Sequence, residues 1–369
     1  MLKNGWRRGE YKGEGGACMS VEWERAADGS AVLKIKLPPG VEPPSDVEVV
    51  SLEPLVVIGG VRDAVAKAVL GDAKPENAKQ ILRYPGGDHY LINELKTLFE
   101  RAPSVDAFVE VFGGSGVASY AVAKELRRKF KVVIYNDIDE ELVNFFRVLR
   151  EKPHELVRLL ALIPYARGER ERCYLLAEMG EIRRLSDVER AAAWFLLLRL
   201  SVNAIAVSPS AFRSSAVRDV AGQLNNVVAA LPEFAKVWKR VQIENLDFRK
   251  CIERFDTPRT LFYCDPPHQP LGHRRELYRY DFTVKDMHDL IKLLSRIRGK
   301  FILKLTEDHL KVPFIKEFAE QYSVERAIVN RYTVADEGEE REKLGIVLIH
   351  NLGPRNTANL GAWLDPCPT

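Results

Sequence analysis

The chemistry in this chain is concentrated first in LFYCDPPH, an apolar run at 261–264 that ends in an acid, two prolines and an imidazole. A charge inside a buried strand is costly unless something pairs with it, so the strand must stop with Asp265 at its rim. Pro266 and Pro267 fix φ and remove two N–H donors. The Asp265 carboxylate and the Pro266 carbonyl are then acceptors on a stiff, extended tip. Such a tip suits a ligand that donates hydrogen bonds; the alternative is a strand-ending turn with a solvated acid.

A second constellation, FVEVFGGSGVASYAVAK, reads as strand, glycine-rich turn and helix start, so that backbone N–H groups near a helix N-terminus face a ligand. Gly113, Gly114 and Gly116 can take conformations closed to other residues. In YNDID, Asp137 ends the next strand, where a carboxylate can accept both hydroxyls of a ribose. A dinucleotide-dependent oxidoreductase or a purely structural turn would show the same features. IENLDF supplies a third edge, with Asp247 for an exocyclic amine and Phe248 for an adenine. Upstream, Tyr84-Pro85-Gly86-Gly87 makes a turn before a helix, and Asp88 suits that helix's dipole.

The elements that must position these residues fall into a pattern. Residues 1–78 read as a small α+β extension of unassigned function: two alternating runs flank Asp28-Gly29 as a hairpin, followed by a Pro-rich joint, a strand at 47–58 and a short helix at 61–70. From residue 79, strands alternate with amphipathic helices, which implies a mainly parallel sheet covered on both faces. VDAFVEVF, KVVIY, VQIENL, LFYC and FILKL are the strands, and the segment 324–351 reads as a closing antiparallel hairpin around an acidic loop. Residues 141–235 are far too many for a crossover and form a helical lobe. That lobe contains the all-apolar AAAWFLLLRL and Arg167, Arg170, Arg172, Arg183, Arg184, Arg190, Arg213 and Arg218, either a phosphate-binding face or a solvated face with ion pairs. Residues 353–369 are a tail.

Composition bounds the function class. With 369 residues, 46% apolar and 29% charged, the chain has room for two or three domains. No run approaches the roughly 20 apolar residues of a membrane span, and the start has no signal-like apolar core, so a cytoplasmic protein is expected. Cys18, Cys173, Cys251, Cys264 and Cys367 lack C-x-x-C spacing; neither a metal site nor a disulfide framework is indicated. A net charge of +3 permits a nucleic-acid partner without requiring one.

Taken in order, RYPGG, FVEVFGGSG, YNDID, the helical lobe, IENLDF, and FYCDPPH followed by LYRYDFT resemble the Dam-type (D12 class) DNA adenine-N6 methyltransferases over residues 79–352. The resemblance implies a Rossmann-like doubly wound α/β methyltransferase sheet (79–140 and 236–352), a helical target-recognition insert (141–235) and the N-terminal extension. It implies S-adenosylmethionine as cofactor and double-stranded DNA as substrate. Cofactor binding would fall to Tyr84, Pro85, Gly86, Gly87, Asp88, Glu110, Phe112, Gly113, Gly114, Ser115, Gly116, Asp137, Ile138, Asp247, Phe248 and Asp265. Asp265, Pro266, Pro267 and His268 would hold a flipped-out adenine and carry catalysis. Arg199, Asn203, Arg213, Arg274, Arg275, Tyr278 and Tyr280 would contact DNA, and a restriction-modification partner is among the expectations; no oligomeric state is assigned.

Two positions depart from the family's pattern. His268 stands where tyrosine is usual and Asp88 where lysine is usual, and Lys304 or Arg83 is the candidate to restore the charge balance. A catalytically weak relative that binds cofactor or DNA is therefore the competing reading. The leading reading requires Asp265 beside the glycine crevice, with its carboxylate not locked in an internal ion pair.

Overall fold

A computed structural model describes residues 9–12, 18–25, 31–36, 66, 70–204, 206, 212–267, 278–330 and 343–353. The chain divides into two compact units, 1–72 and 73–369. The first contains a three-stranded antiparallel meander, β1 (Gly9–Lys12), β2 (Cys18–Arg25) and β3 (Ala31–Lys36). The hairpin expected from Asp28-Gly29 forms, with Arg25 facing Ala31. The strand expected at 47–58 lies outside the described residues.

The second unit is built on β4 (Ala107–Glu110), β5 (Val132–Asn136), β6 (Val241–Glu244), β7 (Thr260–Cys264), β8 (Lys300–Thr306), β9 (Ser323–Asn330) and β10 (Lys343–His350). Their order is β6-β5-β4-β7-β8-β10-β9. The first five are parallel, and β10 lies antiparallel between β8 and β9, which is the closing hairpin read from the sequence. Strands β4, β5 and β7 are near-continuous apolar runs because helices cover both faces of the sheet.

Two consequences of this order make a site. The chain leaves β4 through α2 (Val117–Glu125) towards β5 on one side, and reaches β7 on the other side only after the insert and β6. The loops after β4 and β7 therefore diverge at the carboxyl edge and open a crevice between them, the usual ligand position in such sheets. Ahead of β4, the segment 84–90 leads into α1 (Ile92–Arg101), whose Leu95, Leu98 and Phe99 are buried.

The helical insert runs through α3 (Glu140–Glu151), α4 (Pro153–Ala161), α5 (Arg167–Glu178), α6 (Asp187–Leu200) and α7 (Val220–Trp238). As its all-apolar pattern predicts, α6 is buried from Ala191 to Leu200, and a Ser186–Glu189 capping box sets its start. Phe195 stacks on Phe145 of α3 at 5.6 Å. The insert also reaches the sheet: Trp238 stacks on Phe146 at 4.0 Å and meets Tyr135 of β5 edge-on at 5.4 Å.

This aromatic floor lies directly under the glycine loop. A Cβ added at Gly113 would stand 2.1 Å from the Tyr135 ring, which is fully buried. Gly113→Ala is therefore expected to destabilise the protein by about 1–3 kcal/mol or more through overpacking. Thermal and denaturant unfolding would show it, and an unchanged midpoint would contradict the close approach.

Candidate active site

The crevice has two walls. On one, Pro85 fixes φ and Gly86 adopts φ 76° while the Gly87 N–H donates to the Tyr84 carbonyl at 3.1 Å, a type II turn that needs glycine at its third position. This turn delivers Asp88 into the interior, where it is 6% exposed. On the other wall, β4 ends in Glu110 and the loop after it carries Phe112, Gly113, Gly114 and Ser115, and the turn after β5 carries Asp137, Ile138 and Asp139. Asp265, Pro266 and Pro267 leave β7 between them, with Tyr278 and Tyr280 completing the lining. The crevice is open to solvent and holds about 720 Å³ of empty space, its mouth included.

Most of the residues singled out from the sequence therefore meet at one place, and several do not. Gly116 begins α2 above Trp238 and does not line the crevice. Asp247 caps α8 (Phe248–Phe255) by accepting from the Arg249 N–H, and it pairs with the Arg249 side chain at 3.2 Å. Phe248 is buried behind Phe112, their rings 5.5 Å apart, so Phe112 is the ring that reaches the crevice. Arg199 is not available to DNA as expected: it is buried and its guanidinium donates to the Gln80 and Ile81 carbonyls. Tyr278 and Tyr280 stand half-buried in the crevice wall rather than on an open basic face. His268, Arg274, Arg275 and the Asn203 side chain lie outside the described residues.

Four of the eight insert arginines named from the sequence follow the ion-paired alternative. Arg172 pairs with Glu169, Arg183 with Glu140, Arg184 with Glu181 and Arg190 with Glu141. Arg170 is buried and donates to the Ser201 hydroxyl. A guanidinium neutralised in this way adds little to a phosphate-binding face.

The crevice is acidic. Burial pushes Glu110 up to about 8, against a hydrogen bond from the Ser119 N–H at 2.9 Å. Burial also raises Asp139 to about 7, helped by Asp137 and opposed by Arg279, which donates to Asp139 at 3.1 Å. Asp137 is raised by burial, its Oδ2 accepting from the Gly114 N–H at 2.7 Å and its Oδ1 from the Asp139 N–H at 2.8 Å. Oδ2 thus ties the glycine loop to the end of β5, and Oδ1 fixes the turn that leads into α3. Asp139 was not singled out from the sequence; in the structure it caps α3. Yet its Oδ2 is buried with no hydrogen-bond partner. The signal was a second acid two residues after Asp137 in YNDID.

Beneath the other wall sits Lys304, 0% exposed, on β8. Its ammonium contacts Asp88 Oδ1, Asp265 Oδ2 at 2.9 Å and the Gly86 carbonyl at 3.3 Å, while the Tyr263 hydroxyl donates to Asp88 Oδ2. Burial opposes its charge, but Asp265 and Asp88 together hold its pKa well above the ordinary lysine value. One cation shared by two carboxylates leaves the group short of balance, and burial raises Asp88 to about 6. Lys304, not Arg83, is the cation at Asp88. The required ion-pair-free Asp265 is not what forms; its carboxylate is beside the glycine crevice but paired through Oδ2.

A doubly wound sheet whose glycine loop, buried acids and Asp-Pro-Pro tip line one crevice has the fold of an S-adenosylmethionine-dependent methyltransferase. More narrowly, the chain belongs to the D12 class N6 adenine-specific DNA methyltransferase family, whose family model matches residues 84–332. It is 22% identical over 299 residues to the type II methyltransferase M1.LlaDCHI of Lactococcus lactis subsp. cremoris, covering 75% of this chain and 96% of that one. It is 20% identical over 299 residues to the type II methyltransferase M.MjaIII of Methanocaldococcus jannaschii, covering 74% and 99%. Among solved structures it is similar to a class I S-adenosylmethionine-dependent methyltransferase of Listeria monocytogenes, with 10% identity, 84% of this chain and 75% of that one covered, and a TM-score of 0.36. The protein is a DNA adenine-N6 methyltransferase that uses S-adenosylmethionine. Among the described residues no helix is long and apolar enough to cross a membrane.

Removing one member of a buried ion pair leaves the other uncompensated. Lys304→Met is expected to cost about 3–5 kcal/mol, and adding Asp88→Leu should recover part of the loss. A double-mutant cycle in denaturant measures this, and strictly additive losses would contradict the coupling.

Proposed function

We propose that the protein methylates adenine at specific sites in duplex DNA after swinging the base into the crevice, with the helical insert as the target-recognition lobe. The observation that carries this is that the Asp265–Pro266 tip and the glycine-loop wall line one crevice. When bound, S-adenosylmethionine supplies an electrophilic methyl on a cationic sulfonium. Glu110, Asp137 and Asp139 form the anionic cradle on its side. The orphaned Asp139 Oδ2 is suited to accept a ribose hydroxyl, and Phe112 to cover an adenine face.

Adenine's exocyclic nitrogen is a poor nucleophile because its lone pair is delocalised into the ring. Two acceptors on its hydrogens favour a pyramidal nitrogen with a usable lone pair; the Pro266 carbonyl and the Asp265 carboxylate are those acceptors. Lys304 does not remove Asp265 from this role, since a carboxylate offers about four acceptor positions and one ammonium takes one of them. It orients the carboxylate through Oδ2. Alignment in a water-poor crevice then supplies much of the acceleration, and the nitrogen's proton leaves after transfer. Pro267, Tyr84, Tyr278 and Tyr280 bound the space for the base, in a duplex whose stack would otherwise hide the nitrogen. The similarity to type II methyltransferases supports a role beside a restriction partner.

A second reading, a catalytically weak relative, draws on the Asp265–Lys304 ion pair and on Asp88. Nucleoside mass spectrometry of DNA incubated with the protein and S-adenosylmethionine separates the two. The leading reading expects N6-methyladenine from the wild type and a loss of about 100-fold or more in kcat for Asp265→Asn, with cofactor binding retained. An inactive wild type that gains turnover as Asp88→Lys/His268→Tyr would establish the second.

The raised carboxylates set a pH dependence. In the free protein Glu110 and Asp139 hold their protons up to about 8 and about 7, and a cationic ligand favours their ionised forms. Affinity for S-adenosylmethionine should therefore strengthen as pH rises from 6 towards 8, as titration calorimetry would show. Glu110→Gln should flatten the upper part of that rise, and a wild-type affinity that weakens with pH would contradict the cradle.

A further inference from the structure

Arg199 ends α6 with its Nε 3.1 Å from the Ile81 carbonyl, which fastens the segment leading to Arg83 and Tyr84 against the end of that helix. Just beyond, Ser201 bridges Phe212 and the Arg213 N–H donates to the Leu200 carbonyl at 2.7 Å. The Tyr165 hydroxyl donates to the Arg213 carbonyl at 2.6 Å and fixes the same turn. The guanidinium of Arg83 is thereby gathered with those of Arg199 and Arg213, each within the others' fields.

Elsewhere in the insert arginines find carboxylates, as Arg183 does at Glu140 and Arg190 at Glu141. Among the described residues, Arg83, Arg199 and Arg213 make no ion pair with an acid, and the residues 203–211 between them contain no Asp or Glu. Arg83 also has a buried guanidinium nitrogen with no hydrogen-bond partner. Burial, together with the neighbouring guanidiniums, lowers Arg199 to about 9 and lowers Arg83 below its ordinary value. Like charges assembled without a counter-ion are costly in a folded protein, and an anion from outside relieves that cost.

We propose that Arg83 and Arg213, backed by the buried Arg199, form a seat for a DNA phosphodiester at the junction of the insert and the crevice. The inference rests on the DNA-methyltransferase reading and adds to it a fixed point for the backbone. Arg83 immediately precedes Tyr84, which lines the crevice, so a phosphate held there is tied to the wall that receives the base. Arg199 acts through Gln80 and Ile81 as a positioning residue and touches no DNA.

The test is binding of a fluorescent duplex by the full chain with the demethylated cofactor product present, measured by anisotropy over a salt series. Arg83→Gln and Arg213→Gln should each weaken binding and lower the slope of log K against log salt by about 0.9 for each phosphate no longer neutralised. Arg83→Lys and Arg213→Lys should keep most of that slope, and cofactor affinity should be unchanged in all four. Unchanged duplex affinity and slope in both glutamine variants would overturn the seat while leaving the DNA reading intact; should Arg213→Gln fail to fold, Arg83→Gln decides alone. A wild type that binds no duplex would overturn both. Inorganic phosphate stabilising the wild type as strongly as duplex does would mark a free-anion site and overturn the proposal.

Discussion

One buried ammonium holds the adenine side of the crevice together. Lys304 stands on a strand covered on both faces, where a lysine is anomalous, and the register that pairs Cys264 with Leu303 puts it beside Asp265. From there it joins three things distant in sequence: the type II turn through Gly86, the buried acid Asp88, and the tip of β7. An ammonium in such surroundings is tolerable only because two carboxylates answer it, and neither carboxylate is tolerable without it. The tip is thus rigid twice over, by its prolines and by its ion pair.

The opposite wall depends on shape as much as on charge. Tyr135 and Trp238 occupy the volume beneath the glycine loop, and Asp137 draws the loop onto β5 through the Gly114 N–H. Trp238 belongs to the last helix of the insert, so the lobe proposed to recognise DNA also supports the floor under the cofactor loop. Five acids, Asp88, Glu110, Asp137, Asp139 and Asp265, line the cavity. A cationic sulfonium suits that field better than a pyrophosphate would, which separates this crevice from the dinucleotide site that the glycine loop alone also allowed.

Strands and loops were legible because their signals are local. LFYC before Asp-Pro-Pro, KVVIY before Asn-Asp, and Tyr-Pro-Gly-Gly each combine an apolar run or a turn signature with a chain-breaking residue, and each takes the form its pattern implies. What could not be read was who answers each charge. Glu141 lies 49 residues from Arg190 and Glu140 lies 43 from Arg183, so neutralised arginines look the same in sequence as the ones without an acid, Arg83 and Arg213. Asp139 was hidden by its duty as the α3 cap, and Arg199 by its position at the end of an apolar helix. Lys304 was the exception, visible as a single charge inside FILKL.

The most direct measurement is a crystal structure of the protein with a duplex containing its target adenine and the demethylated cofactor product. The account predicts the adenine amino group within hydrogen-bond distance of both the Pro266 carbonyl and an Asp265 oxygen, with Lys304 still on the other side of that carboxylate. An extruded base whose amino group meets neither acceptor, or an Asp265 that turns wholly inward onto Lys304, would contradict it.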